Sequence, residues 1–202
     1  MKTRPKAMAS HAAPARPPGE VRIIGGQWRR TRVPVAALPG LRPTPDRVRE
    51  TLFNWLGQDL GGWRCVDAFA GTGVLGFEAA SRGAASVLLC EQVPALLEAL
   101  RALQQRLDAA AITLARGDGV AHLRRQAPAS IDLVFLDPPF GSDLYPAALR
   151  AASNALAPDG HVYLEAAQPW GDDALAPFGL ALHRTGKAGM VHFHLLKKVA
   201  EA

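Results

Sequence analysis

From residue 64 onward, short apolar runs alternate with longer segments whose apolar positions recur at helical spacing. The short runs fit buried strands, and the 3.6-residue spacing fits helices that pack on a sheet. Strands joined by such helices form right-handed crossovers and a mostly parallel sheet. The predicted strands are 64–68, 86–91, 111–116, 131–137, 160–165, 180–185 and 191–196, and the predicted helices are 74–82, 94–107, 119–125 and 145–156.

The last two predicted strands have no helical pattern between them. The segment Gly186-Lys187-Ala188-Gly189 is of hairpin length, so the final strand is expected to run antiparallel to its neighbour. Residues 59–198 are therefore predicted to form one α/β domain. Its sheet is predicted to have seven strands and to be mostly parallel.

Ahead of this domain, residues 21–58 are predicted to form a small basic hairpin and a helix. Weak alternation on either side of Gly25 and Gly26 indicates two short strands joined by a turn. Thr44 is expected to cap the helix that follows. Residues 1–20 are rich in Ala, Pro, Arg and Lys without periodicity, which predicts a disordered basic tail.

Basic residues are concentrated in the first quarter of the 202-residue chain. Residues 1–50 hold 11 Lys and Arg against 3 Asp and Glu, whereas the remainder holds 12 against 15. Such a segment is typical of an arm that contacts phosphates, although a solubilising tail has the same composition. The sequence contains no apolar stretch of ~18 residues and no secretory signal, which predicts a cytoplasmic protein without membrane contact. Cys65 and Cys90 lie in predicted buried strands and are expected to be free thiols.

The first strand of the domain runs into a glycine-rich loop, Asp67-Ala-Phe69-Ala-Gly71-Thr72-Gly73-Val-Leu-Gly76. Without a Cβ, Gly71 and Gly73 let the backbone turn sharply and approach a ligand. The Gly-x-Gly-x-x-Gly spacing alone also suits NAD or FAD. Asp67 favours a different ligand, because a carboxylate there suits a ligand that carries ammonium and sulfonium charge and is unfavourable beside a pyrophosphate.

Carboxylates also end the next two predicted strands. Glu91 closes the second strand, where it can accept both hydrogen bonds of a ribose diol. Asp118 closes the third, where it can accept from an adenine amino group. Gln92 and Gly119, which follow them, are expected to contact the same ligand. A helix cap or a solvated charge explains each carboxylate singly, but acidic residues at three successive strand ends favour a binding site.

The fourth strand ends in Asp137-Pro138-Pro139-Phe140. Two prolines fix φ and remove two donors, so the surrounding carbonyls point outward without sheet partners. An exocyclic amino group that attacks a methyl group must be held by acceptors, which the Asp137 carboxylate and the Pro138 carbonyl can supply. Phe140 offers a face on which a base can stack. In isolation, the segment is also typical of a turn that ends a strand.

An Asp-Pro-Pro-Phe segment after a Gly-x-Gly loop is the signature of amino-group methyltransferases with the class I Rossmann-like fold. Three upstream blocks accompany it, namely 21–29, 40–44 and 46–56. Together, these features resemble the RsmD family, which methylates guanine N2 in bacterial 16S ribosomal RNA. The resemblance covers residues 20–198, and the upstream blocks are specific because other amino methyltransferases lack them.

The resemblance implies that S-adenosylmethionine is the methyl donor and that 16S ribosomal RNA of the small ribosomal subunit is the partner. The cofactor positions that match are Asp67, Phe69, Gly71, Gly73, Glu91 and Asp118, to which Thr72, Gln92 and Gly119 are added as neighbours, and the acceptor site is 137–140. A monomer without a metal ion is expected. The chain departs from the family in residues 1–19, which have no counterpart, in the weakly basic segment 141–143, and in the histidines of the last strand.

RNA contacts are expected from the N-terminal segment, because an aromatic ring flanked by arginines can stack on an unpaired base while the arginines bind phosphates. The expected residues are Arg22, Trp28, Arg29, Arg30, Arg32, Arg42, Arg47 and Arg49. Two alternatives stay open: Trp28 packs under the hairpin, and the last three arginines bind the cofactor carboxylate or form ion pairs. His192 and His194 share a strand face as metal ligands do, but without a third ligand we expect a half-exposed edge strand instead.

Other functions are compatible with parts of the pattern. The acceptor motif also serves DNA adenine-N6 and protein-glutamine methyltransferases, although the basic arm favours nucleic acid. A nucleotide-linked oxidoreductase would use the glycine loop but leaves Asp67 and the prolines unexplained. A non-catalytic RNA-binding protein that retains the fold is disfavoured by the presence of Asp137 and the glycine loop.

Overall fold

The computed structural model describes residues 19–38, 41–139 and 141–199, and a seven-stranded sheet forms its centre. A two-stranded hairpin, β1 (Gly19–Arg22) and β2 (Arg32–Val35), precedes it. The strands of the sheet are β3 (Arg64–Asp67), β4 (Ser86–Glu91), β5 (Ile112–Arg116), β6 (Ile131–Leu136), β7 (Leu156–Ala166), β8 (Leu180–Ala188) and β9 (Val191–Lys198). Their order is β5-β4-β3-β6-β7-β9-β8. Neighbours are parallel from β5 to β7, and β9 is antiparallel to both β7 and β8, as predicted.

Helices cover both faces of this sheet. They are α1 (Asp46–Leu56), α2 (Val74–Ser81), α3 (Pro94–Arg106), α4 (Gly119–Arg124), α5 (Tyr145–Ala155) and the short α6 (Asp172–Leu175), which a 3-10 turn follows. Alternation along β6 separates two apolar clusters: Leu133 and Phe135 pack with α1 to α3, and Val134 and Leu136 pack with α4 and α5. Within the described ranges, no helix is both long enough and apolar enough to cross a bilayer.

The N-terminal segment differs from its prediction in several respects. β1 begins at Gly19, within the predicted basic tail, and residues 1–18 of that tail lie outside the described residues. β1 and β2 are joined by a longer loop and not by a tight turn at Gly25 and Gly26. These glycines pack against the end of α2, where a Cβ on Gly26 would lie 1.8 Å from the Ser81 carbonyl oxygen. The prediction that Thr44 caps α1 is wrong. The cap position is Pro45 without a side-chain hydrogen bond, and the Thr44 hydroxyl donates to the distant carboxylate of Glu165 over 2.7 Å.

Arg49 belongs to a buried ion-pair network, and the prediction that it contacts RNA is wrong. Its residue exposure is 0%, and its guanidinium donates to Glu78 at 2.8 Å and to Asp46 at 2.6 Å. Glu78 in turn accepts from Arg82 at 3.3 Å. Burial lowers the pKa of Arg49, and the two carboxylates oppose that shift. A side chain that is enclosed in this way attaches α1 to α2 and cannot reach a phosphate.

The expectation of a half-exposed edge strand at the last two histidines is also wrong. β9 lies between β7 and β8, and His194 is fully buried. Its Nδ1 donates to the Leu164 carbonyl at 3.2 Å and its Nε2 accepts from the Trp170 amide at 3.1 Å. Burial lowers the pKa of His194, which favours this neutral tautomer. Both ring nitrogens are therefore occupied, and the described residues contain no group of three or more metal-ligating side chains.

Candidate active site

Carboxyl groups gather at the carboxyl ends of the central strands. Asp67 ends β3, Glu91 ends β4, Asp137 follows β6, and Glu165 lies one residue before the end of β7. The chain places β4 and β5 on one side of β3 and then crosses to β6 on the other side. In open α/β sheets, ligands bind beside the strand ends where the order reverses in this way.

The loop between β3 and α2 is tightly packed, and glycine is required in it. Gly73 has a φ of 74°, a left-handed conformation from which α2 begins. The Gly71 amide donates to Glu91 Oε2 at 2.9 Å, which fastens the loop to β4. Gly119, at the start of α4, lies so close to the end of β3 that a Cβ would be 1.8 Å from the Ala68 carbonyl oxygen. The predicted loop residues and Gly119 are thus brought together; beside them Thr72 is buried and Phe69 half-buried.

Asp67 is almost completely buried, with 2% exposure. Burial raises the pKa of its carboxyl group to about 7, and hydrogen bonds from the Phe69 and Gly76 amides oppose that rise. The charges of Glu91 and Glu165 raise this pKa further. A cation bound beside Asp67 would favour the ionised form, so the position suits a positively charged ligand.

Glu91 is held mainly by backbone amides. Besides Gly71, the amides of Gln92 and Val93 both donate to its Oε1 at 2.8 Å. A carboxylate has about four acceptor positions, so one remains for a ligand. A ribose diol could use Glu91 for one of its two hydrogen bonds directly, and the second would have to share an oxygen with an amide. Gln92 is exposed beside it.

Asp118 is exposed at the end of β5 and caps α4. Its Oδ1 accepts from the Val120 amide at 2.9 Å, which is the helix-cap role that the sequence left open. The cap engages Oδ1 alone, so contact of the second oxygen with an adenine amino group stays a prediction.

Asp137 and the two prolines leave the sheet at the end of β6. Asp137 is half-buried, Pro138 is buried and Pro139 is exposed. Phe140, which was expected to stack on a base, lies outside the described residues. Burial raises the pKa of Asp137 well above its usual value, and the negative charges of Glu165 and Asp67 add to this effect.

Glu165 is a component of the site that the sequence analysis did not identify. It is 4% exposed, and its Oε1 accepts from the Thr44 hydroxyl at 2.7 Å and from the Tyr163 hydroxyl at 2.8 Å. Burial raises the pKa of Glu165, and both hydrogen bonds oppose the rise. The signal was available, because the strand predicted at 160–165 also ends in a carboxylate.

Aromatic side chains border the same end of the sheet. Tyr145 begins α5, and its ring lies 5.8 Å from that of Trp170, which follows β7. The Tyr145 hydroxyl is buried and has no hydrogen-bond partner in the described part of the chain. Its pKa is raised by burial and then by the charges of Asp137 and Glu165, which places this hydroxyl near the acceptor segment.

Five exposed arginines of the predicted RNA-binding set lie in two parts of the structure. Arg42 is exposed two residues before Thr44, whose hydroxyl donates to Glu165 near the end of β7, and Arg47 is exposed in the first turn of α1. Arg22 is exposed and pairs with Asp46 at 3.2 Å. Arg29 and Arg30 are exposed near the far end of α2, where Arg29 lines a polar groove of about 490 Å³.

Two further members of the predicted RNA-binding set make contacts within the protein. Arg32 is exposed and pairs with Glu20 at 2.9 Å. Trp28 is half-buried with its ring 6.3 Å from that of Phe77, and its amide donates to the Ser81 hydroxyl. Packing under the hairpin therefore explains Trp28, whereas an additional contact of its ring with a base stays a prediction.

Comparison with known proteins gives consistent matches over most of the chain. A family model described as conserved hypothetical protein 95 matches residues 21–197. The chain is 38% identical over 185 residues to ribosomal RNA small subunit methyltransferase D of Escherichia coli strain K12, covering 91% of this chain and 92% of that one. It is 38% identical over 184 residues to the Haemophilus influenzae protein of the same name, covering 88% and 93%. Among solved structures, the Escherichia coli protein yhhF matches with a TM-score of 0.77 at 38% identity, covering 91% of this chain and 100% of that one.

The fold and these matches define an enzyme, a methyltransferase of the class I Rossmann-like type. The family resemblance predicted from the three upstream blocks is confirmed. The chain belongs to the RsmD family.

Proposed function

We propose that this methyltransferase transfers a methyl group from S-adenosylmethionine to the exocyclic N2 of a guanine in 16S ribosomal RNA, acting as a cytoplasmic monomer on the small ribosomal subunit. The observation that carries the proposal is the meeting of the glycine loop and Asp67 with the Asp137-Pro138-Pro139 segment at the ends of two adjacent strands. The names of the two matched relatives support a substrate in the small-subunit ribosomal RNA.

The strand-end residues fit S-adenosylmethionine by their chemistry. Asp67 offers a carboxylate to the ammonium group, Glu91 an acceptor to the ribose, and Asp118 an acceptor to the adenine amino group. A bound cation compensates for the burial of Asp67, whose pKa is raised to about 7 in its absence. When bound, this donor supplies a methyl group on a sulfonium centre. A Cβ on Gly119 would clash with the Ala68 carbonyl oxygen, so glycine is required directly after Asp118.

The acceptor segment fits an amino group that is attached to an aromatic ring. The Asp137 carboxylate and the Pro138 carbonyl accept its two N–H groups and orient the nitrogen, so that catalysis consists largely of positioning. Guanine suits an acidic site better than adenine does. Its N1–H and N2–H groups are adjacent donors, whereas adenine presents the N1 lone pair, which a carboxylate repels.

RNA binding is assigned to the exposed arginines nearest the strand ends. Arg42 precedes Thr44, which contacts Glu165, and Arg47 and Arg22 flank the start of α1. Their positive charge opposes the negative charge of the carboxyl cluster and provides phosphate contacts around a base that enters the site. Most of the affinity from such contacts is expected to depend strongly on salt.

A methyl-transfer assay tests the proposal. Labelled S-adenosylmethionine should modify one guanine in small subunits or 16S ribosomal RNA that lack the modification, and mapping should locate the label at N2. Asp137→Ala should abolish transfer while its affinity for S-adenosylmethionine, measured by calorimetry, stays within about twofold of wild type. Labelling of adenine-containing DNA or of protein instead, full activity of the variant, or tight binding of NAD would each contradict the proposed function.

A further inference from the structure

Glu165 is a buried acidic side chain beside the acceptor segment, and neither the acceptor motif nor the cofactor positions account for it. Two hydroxyl groups from different parts of the fold, Thr44 ahead of α1 and Tyr163 on β7, donate to the same oxygen, Oε1. Two donors on one carboxyl oxygen favour the ionised form, although burial disfavours it. The two hydroxyl groups therefore offset part of the rise that burial causes in the pKa of Glu165.

The pairing of β6 with β7 places Glu165 beside Asp137. Phe135 lies opposite Tyr163 in parallel register, and the pairing continues for one more residue on each strand. Side chains alternate along a strand, so Asp137 and Glu165 come next on the face that carries Phe135 and Tyr163. The two rings of that pair meet edge to face with centroids 6.3 Å apart.

Resting on the proposed function, we propose that Glu165 is a positioning residue for methyl transfer, because it stays ionised beside Asp137 and makes Asp137 the group that takes the proton lost by the amino nitrogen. As the N–C bond forms, the S–C bond breaks and its electron pair stays on sulfur. The nitrogen began with two hydrogens and now carries a positive charge, so it releases one proton. The Asp137 carboxylate accepts from that N–H and therefore receives the proton.

The titratable groups that face Asp137 from the surrounding elements are all acidic or phenolic. They are Asp67 on β3, Glu165 and Tyr163 on β7, and Tyr145 on α5. Within the described part of the chain, no salt bridge reaches Asp67, Asp137 or Glu165. The neighbouring negative charges consequently add to burial in raising the pKa of Asp137.

The test compares the pH dependence of kcat/KM for methyl transfer to small subunits in wild type, Glu165→Gln and Asp132→Asn. Glutamine keeps the shape of the side chain and an acceptor for both hydroxyls, but it removes the charge. Because ionised Asp137 is the active form, the acid limb of the profile follows its pKa, which falls when the neighbouring charge is removed. We expect the acid limb of Glu165→Gln to move lower by about one to two pH units and its plateau to fall about tenfold.

Asp132→Asn is the matched control, since it removes one carboxylate from the other end of β6, about 16 Å from Asp137 at strand spacing. Its acid limb should coincide with that of wild type. A rate loss in Glu165→Gln without a shift would show that Glu165 only supports Thr44 structurally, and it would overturn the proposal. An equal shift in Asp132→Asn would overturn it as well.

Carbon-13 NMR of the wild-type side-chain carboxyl groups decides the question even where Glu165→Gln does not fold. Asp137 and Glu165 should titrate in two linked steps, whereas separate titrations at ordinary values would refute the proposed role. A wild-type protein that does not methylate small subunits contradicts the proposed function, whereas an active wild type with an unmoved acid limb in Glu165→Gln contradicts only the role of Glu165.

Discussion

The buried arginine of α1 allows a direct measurement of how firmly the N-terminal segment is attached to the sheet. Arg49→Met removes the guanidinium and leaves an unbranched apolar side chain in its place. The substitution eliminates the ion pairs with Glu78 and Asp46 and the hydrogen bonds to the carbonyls of Thr44, at 3.0 Å, and Arg22, at 2.7 Å. Both carboxylates and both carbonyls are then left with one donor fewer.

The expected loss of stability follows from these interactions. Removing one partner of a buried ion pair costs about 3–5 kcal/mol. Because Glu78 still accepts from Arg82 and from the amides of Ile24 and Gly25, the cost of removing its ion pair with Arg49 should lie near the lower end of that range. Each carbonyl that is left without this donor adds about 1 kcal/mol. With two such carbonyls, we therefore expect a loss of about 5 kcal/mol, which for a domain of this size lowers Tm by roughly 10–20 °C.

Urea unfolding followed by circular dichroism measures this loss. Arg47→Met is the matched control, because Arg47 is exposed on the same helix two residues earlier. It should change the free energy of unfolding by less than about 0.5 kcal/mol. If Arg49→Met were as stable as this control, Arg49 would not hold the segment in place, and its burial between α1 and α2 would have to be reconsidered.

Binding of the methyl donor, binding of RNA and the contact between Thr44 and Glu165 can each be tested separately. Affinity for S-adenosylmethionine should fall about tenfold from pH 8 to pH 6, because protonation of Asp67, whose pKa is about 7, competes with a bound cation; calorimetry showing constant affinity would contradict this. Arg42→Glu should weaken RNA binding and lower its salt slope by roughly one, unlike Arg124→Glu on α4, and equal filter-binding curves for the two variants would exclude Arg42 from the interface. Thr44→Val should lower the free energy of unfolding by about 1–3 kcal/mol, because the buried Glu165 carboxylate loses one donor. Thr51→Val removes a solvent-exposed hydrogen bond and should be nearly neutral in the same urea assay.

The features that the sequence predicted are those that depend on local pattern. Strand and helix periodicity, the glycine loop and the carboxylates at strand ends can each be read within a few residues, and the sheet follows from their alternation. The resemblance of the upstream blocks to the RsmD family is likewise a local signal. These features place Asp67, Glu91 and Asp137 at one end of the sheet without knowledge of the strand order.

The features that the sequence did not predict depend on which distant residues meet. Thr44 matches a helix cap locally, but its hydroxyl bonds to Glu165, which is 121 residues away. Arg49 lies in a basic segment whose composition suggested RNA binding. It is buried only because α1 packs against α2, where Arg49 pairs with Glu78. His194 is buried because the chain inserts β9 between β7 and β8, an order that strand lengths alone do not specify.

These long-range contacts form one connected path between α2, the N-terminal segment and the proposed acceptor segment. Glu78 on α2 binds Arg49, Arg49 donates to the carbonyl of Thr44, and the hydroxyl of Thr44 binds Glu165 beside Asp137. A buried polar group is unfavourable when one of its partners is missing, so the loss of one contact along this path is expected to destabilise the next. The N-terminal segment therefore helps to hold Glu165 beside the acceptor segment, in addition to the RNA contacts proposed for it. A class I sheet without this segment would keep its glycine loop, but Glu165 would lose one of the two donors that favour its charge.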